Sequence, residues 1–280
     1  MTWPPDENIE AEVQPWLSKP RFHPIQIITL HSTRGPTTED LQYQATRNWM
    51  QSLGNVGDRD SEGKPIWGSS TNRIIGSAGQ MCVAVPDDRY CTYGAGFGDP
   101  SSWAVDFYAI NIELAQATVD QPFTDATLER CAQVCADLCR QYSIPAIWLE
   151  RVDQTGEVPS GITSHDLTDN GKKLGKTDVG ARFPYAWFMY RVKELLMPDD
   201  LKALVERLEA LVAGNGIKVK LPDGSEQSLA GEQALALIAA AGLSVVQYLY
   251  NHDKALAELE AKAGREAFRL FVDRLGAALE

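Results

Sequence analysis

Between residues 25 and 196 the chain alternates short apolar runs with amphipathic stretches, and this alternation limits the folds open to it more than any other feature. IQIITLHS (25–32) has the β-branched, period-two character of a strand. TTEDLQYQATRNWMQSL (37–53) follows as a helix opened by threonine and acidic residues. RIIGSAGQMCVAV (73–85) reads as a hairpin turning around Ser77–Gly79, and FYAINIELAQ (107–116) as a buried strand. A helix over 124–142, a short strand PAIWLE (145–150), a β-like GITS (161–164) and a helix over 184–196 complete the pattern. The expected fold is α/β, a mixed central sheet flanked by helices. The polar, glycine-bearing stretch 54–68 is placed to border a cleft.

After Pro198 the sequence changes in kind. All seven tryptophans and all five cysteines precede residue 188, and the remainder is rich in Ala, Leu, Glu and Lys. We read 1–21 as an N-terminal extension, 22–197 as the main domain and 198–280 as a small, mainly helical region. Within the last, IKVKLPDGSEQSL suggests a hairpin through its Pro-Asp-Gly turn. Leu201, Leu204, Val205, Leu208 and Leu211 form one helical stripe, and Leu256, Leu259, Ala263, Leu270 and Leu275 lie near one side of a last helix. So thin a core leaves these stripes to dock elsewhere, which makes the region a means of targeting or of homo-oligomerisation.

The net charge of −12, with no Lys/Arg cluster, opposes nucleic-acid binding. No run of eighteen apolar residues argues for membrane insertion, and the acidic, proline-containing start has no export-signal pattern. The expectation is synthesis in a reducing cytoplasm. The odd cysteine count agrees, and Cys131, Cys135 and Cys139 share one helical face as core residues rather than as a metal cluster.

His31 stands at the carboxyl end of the first strand, where a lone histidine is most often structural. His165 follows GITS, and Asp178 comes thirteen positions later across a glycine-bearing loop. Two imidazoles and a carboxylate make a suitable three-ligand zinc site, with the fourth tetrahedral position left for water. Glu113 interrupts an otherwise apolar strand, so it requires either a buried salt bridge or a polar site to face.

IITLHSTRG, INIELAQ and GITSHDLTDNGKKLGKTDVGARFPYAWF, in that order, resemble the type 2 N-acetylmuramoyl-L-alanine amidases, zinc enzymes related to peptidoglycan-recognition proteins. The match spans about 22–196 and makes this stretch the catalytic domain. The resemblance implies a Zn2+ ion on His31, His165 and Asp178. It implies that Glu113 is the catalytic acid/base and that Lys176 is the cation beside the substrate oxygen. Bacterial peptidoglycan is the implied partner, cut between N-acetylmuramic acid and L-alanine. Three departures stand out: Val179 replaces a usual proline, Asn111 replaces the glycine of the Gly-Ile-Glu strand, and Thr71–Asn72 replace a Tyr-His pair. Asn72 is at most a candidate polar contact. Trp67, Tyr93 and Trp103 are candidates for lining a groove. The layout resembles a bacteriophage endolysin, made in the host cytoplasm and acting on the wall after release. A muropeptide-recycling amidase and a non-catalytic recognition module are the alternatives.

Overall fold

The computed structural model describes residues 3–34, 38–91, 94–96, 103–196, 217–220 and 226–229. The chain divides into two compact units, Met1–Leu196 and Met197–Glu280. In chain order the first unit contains β1 (Glu7–Asn8), β2 (Ser18–Pro20), β3 (Ile27–Ser32), α1 (Glu39–Gln51), β4 (Asp58–Arg59) and β5 (Pro65–Trp67). There follow β6 (Arg73–Ile75), β7 (Met81–Val83), β8 (Arg89–Cys91), α2 (Val105–Tyr108), β9 (Ala109–Leu114) and α3 (Asp125–Tyr142). The unit ends with β10 (Gly161–Ser164), α4 (Asp169–Lys173) and α5 (Tyr185–Leu196).

Six strands form one mixed sheet in the order β1-β7-β6-β9-β3-β10, in which β6–β7 is antiparallel and the other pairings are parallel. Strand alternation sends Ile28, Leu30, Ile110, Ile112, Leu114 and Ile162 into a core shared with α3 and α5. Cys131, Cys135 and Cys139 lie in that core as free, buried thiols. Ile75 joins this cluster, whereas its neighbour Ile74 packs with Cys82 and with Tyr43 and Met50 of α1. The sheet is therefore covered by helices on both faces. α3 is capped at its start by Thr124, whose hydroxyl accepts from the Thr127 amide at 3.1 Å.

Register places the chemistry. In the β3–β9 pairing His31 stands opposite Glu113, and in the β3–β10 pairing Ser164 stands opposite Leu30. His165 follows directly from Ser164, so both histidines and Glu113 gather at the carboxyl edge of three adjacent parallel strands.

Several local expectations need correction. PAIWLE does not form a strand. It makes a single bridge, Trp148 to Ile162, with Pro145 lacking the amide needed to begin a ladder. The polar stretch 54–68 contains the short ribbon β4–β5, where a Cβ on Gly57 would lie 1.6 Å from the Trp67 ring. The buried strand is shorter at its start than 107–116, because Val105–Tyr108 form one helical turn. Residues 3–21 are woven into the unit: β1 extends the sheet, β2 pairs with β8, and Ile9 and Leu17 are buried. Arg21 closes this region by donating to the carbonyls of Asp87, Arg89, Phe107 and Ala109.

In the second unit β11 (Ile217–Lys220) and β12 (Glu226–Leu229) pair antiparallel, as the Pro-Asp-Gly turn predicts. The helices expected within 198–280, with their leucine stripes, lie outside the described residues, as does Tyr93. Among the described residues no helix is long and apolar enough to cross a membrane.

Candidate metal centre

His31 is 2% exposed at the end of β3, and its ring lies 4.9 Å from that of His165, centroid to centroid and nearly edge-on. His165 begins a single 3-10 turn, His165–Leu167, whose carbonyl is held by both the amide and the hydroxyl of Thr168. α4 then passes so close that a Cβ on Gly171 would lie 1.8 Å from the His165 carbonyl oxygen. Only glycine permits that approach, which fixes His165 from below.

Asp178 returns to the same place. Its Oδ1 accepts from the Ser32 amide at 3.3 Å, and its Oδ2 lies 3.4 Å from His165 Nδ1. The next residue, Val179, is buried with φ 40°. Proline, locked near −65°, has no access to that conformation, so the departure from the usual motif accompanies a different backbone path. A β-branched residue in the left-handed region costs roughly 1–2 kcal/mol, and such strain persists only where surrounding packing imposes it. Here the packing is the core against α3 and α5.

Donor atoms of His31, His165 and Asp178 all lie within 4.8 Å of one another. Burial is the largest effect on His31 and, with the nearby charges of His165 and Lys176, holds it down to about 4, so the ring is neutral at pH 7. Burial pushes Asp178 up, but the hydrogen bond from His165 and the two imidazoles outweigh it and leave the carboxylate below its ordinary range. His165 Nε2 is buried without a hydrogen-bond partner. Two imidazoles, a carboxylate and an orphaned ring nitrogen suit a zinc ion by the chemistry of the donor set.

Glu113 adjoins this group from β9. Its Oε2 is buried without a hydrogen-bond partner, and no ion pair involves it among the described residues, which disposes of the salt-bridge reading. Burial pushes its pKa up to about 8, Asp178 adds to the rise, and Lys176 and Arg34 oppose it. The Lys176 side chain is exposed, while its amide is tied to the Gly171 carbonyl at 2.9 Å. Arg34, which the sequence reading passed over, donates from its guanidinium to the hydroxyl and carbonyl of Thr177 and so anchors the segment between Lys176 and Asp178.

Asn72 does not reach substrate. It is fully buried, with Oδ1 accepting from the Asn111 amide and the Cys91 thiol, and Nδ2 donating to the Val85 carbonyl. Trp67 is engaged in packing on Gly57, and half-buried Trp103 meets the edge of Tyr108 at 5.6 Å.

The model of the family described as N-acetylmuramoyl-L-alanine amidase matches residues 21–180. The chain belongs to this family. It is an amidase, and its substrate class is peptidoglycan. Among solved structures it is similar in fold to Staphylococcus aureus hydrolase AmiA, captured with its ligand, at 12% identity and TM-score 0.46, covering 72% of this chain and 88% of that one. A selenomethionine derivative of AmpD is 19% identical with TM-score 0.41, covering 62% and 86%. Drosophila peptidoglycan recognition protein SA is 17% identical with TM-score 0.36, covering 57% and 80%. No curated protein sequence matches the chain.

Proposed function

We propose that this amidase is zinc-dependent, that it cleaves the bond between the lactyl group of N-acetylmuramic acid and L-alanine, and that it serves as a bacteriophage endolysin. The convergence of His31, His165 and Asp178 within 4.8 Å, with Glu113 beside them, carries the chemical part of this reading. Those three residues would hold the ion. When bound, zinc supplies Lewis acidity that makes hydroxide available near neutral pH and polarises an amide carbonyl.

The remaining work falls to the chain's own side chains. Glu113 takes a proton from the attacking water and returns it to the departing amide nitrogen, which must be protonated to leave. Lys176, on the anchored segment beside Asp178, offers an ammonium to the negative charge developing on the carbonyl oxygen. The lysine's charge is already felt at Glu113 and His31, which supports its placement. Lys176→Met is expected to retain zinc and lower turnover by about 10²-fold or more, the usual effect of removing one such donor. Loss of zinc, with full turnover restored by excess metal, would instead make the lysine an electrostatic partner of Asp178.

The lysin role is supported by the two-unit layout, in which a second compact unit follows the amidase unit. We assign that unit to wall targeting, with homo-oligomerisation as its competitor, and place the protein in the host cytoplasm until release. Purified sacculi and soluble muropeptides digested in parallel and read by mass spectrometry test the reading. Peptides beginning at L-alanine released efficiently from intact sacculi are expected. Sugar fragments would overturn the bond assignment, and activity confined to soluble muropeptides would replace the lysin with a recycling amidase.

A further inference from the structure

Asn111 occupies the strand position where the resemblance leads one to expect glycine, and the fold gives it a defined set of partners. Its side chain is fully buried on β9, beside Glu113 on the same face of the strand. Oδ1 lies 2.9 Å from His31 Nε2, and Nδ2 donates at 2.8 Å to Oδ1 of Asp106. Asp106 is also fully buried, and its carboxylate accepts from the amides of Ala95 at 2.8 Å and Gly96 at 3.1 Å.

The amide of Asn111 can therefore point only one way. Asp106 accepts from it, so the nitrogen faces the carboxylate and the oxygen faces His31. An oxygen has no hydrogen to give, so the proton of the bond lies on His31 Nε2. A neutral imidazole carries one proton, which leaves the lone pair on Nδ1. The side chain is closely enclosed: a Cβ on Gly94 would lie 2.3 Å from Asn111 Nδ2.

We infer that the buried chain Asp106–Asn111–His31 sets the tautomer of His31, reserving Nδ1 as the metal-binding atom and making Asp106 and Asn111 positioning residues of the metal centre. The inference rests on the zinc-site reading above. Outer partners that fix a ligating histidine typically contribute 10–100-fold to metal affinity, and the carboxylate behind the amide strengthens the acceptor through the shared network.

Nitrogen-15 NMR of the metal-free wild-type protein at pH 7 reads the tautomer without any substitution. The expected spectrum has His31 protonated at Nε2, and protonation at Nδ1 would overturn the inference. Zinc affinity measured by competition with a chromophoric chelator supplies the second readout. Asn111→Ala removes the acceptor, and Gly94→Ala displaces it while leaving it in the chain. Each variant is expected to bind zinc about 10–100-fold more weakly than wild type. In Asn111→Ala the Nε2-protonated signal is expected to give way to a mixture. Wild-type zinc affinity in both variants, with circular dichroism confirming the fold, would overturn the positioning role and leave the zinc site standing. Failure of the wild-type protein itself to bind zinc would overturn the zinc-site reading and this inference with it.

Discussion

A chain carrying His165→Ala is expected to retain no stoichiometric zinc and to lose its amidase activity. Three protein donors are the minimum from which a catalytic zinc site is usually built, and His165 touches the carboxylate ligand Asp178 through Nδ1. Its removal leaves His31 and Asp178 to hold an ion with two donors. It also strips Asp178 of the hydrogen bond that, against burial, keeps that carboxylate ionised. Loss of an outer partner already costs 10–100-fold in metal affinity, so loss of a direct ligand should exceed about 100-fold. Elemental analysis after gel filtration decides the matter: one zinc per chain in the variant would remove His165 from the ligand set. Acid acts in the same direction, because protons compete with the metal for every donor.

The parts of this site legible in the sequence were those carried by strand ends. His31, Glu113 and His165 each terminate or follow a short apolar run, and period-two alternation puts His31 and Glu113 on the sheet face opposite the main helical core. Parallel pairing in register then brings them to one edge, which no local pattern can state but which an α/β alternation implies. Asp178 was legible through motif order. What could not be read was support from residues with no pattern of their own. Asp106 sits in a one-turn helix whose last two residues the sequence periodicity assigns to the following strand, and its importance comes from two loop amides at Ala95 and Gly96. The available signal was Asn111, a buried amide where a glycine was expected; its partner Asn72, at most a candidate polar contact from the sequence, makes its polar contacts inside the fold because burial is a tertiary property. Likewise PAIWLE has strand composition, but only Trp148 finds a bridge partner, so propensity gave way to context.

Glu113→Gln is expected to reduce turnover by about 10²–10⁴-fold while leaving zinc in place, the range over which a positioned acid/base acts. The amide is nearly isosteric but neither takes the proton of the attacking water nor returns it to the leaving nitrogen. The same substitution has a second expected effect that tests the environment rather than the chemistry. Burial, reinforced by Asp178, raises the Glu113 pKa from an ordinary 4.5 to about 8 in the metal-free fold. The folded chain then binds a proton that the unfolded chain has released. This contribution to stability is complete below pH 4.5 and disappears as pH rises through 8. Between those limits the metal-free wild type should lose at most about 1.4 kcal/mol per pH unit from this group relative to the glutamine variant. Denaturant melts of both proteins should therefore diverge from pH 5 to pH 8, with Glu113→Gln the more stable at the alkaline end. Zinc reverses the electrostatics, since a nearby dication favours the carboxylate, and the divergence should shrink in the loaded protein. Parallel pH–stability curves for the two metal-free proteins would show that Glu113 is not held in a dry site. Full turnover in the variant would assign the proton transfers to another group, and loss of zinc would make Glu113 a support of the metal centre instead.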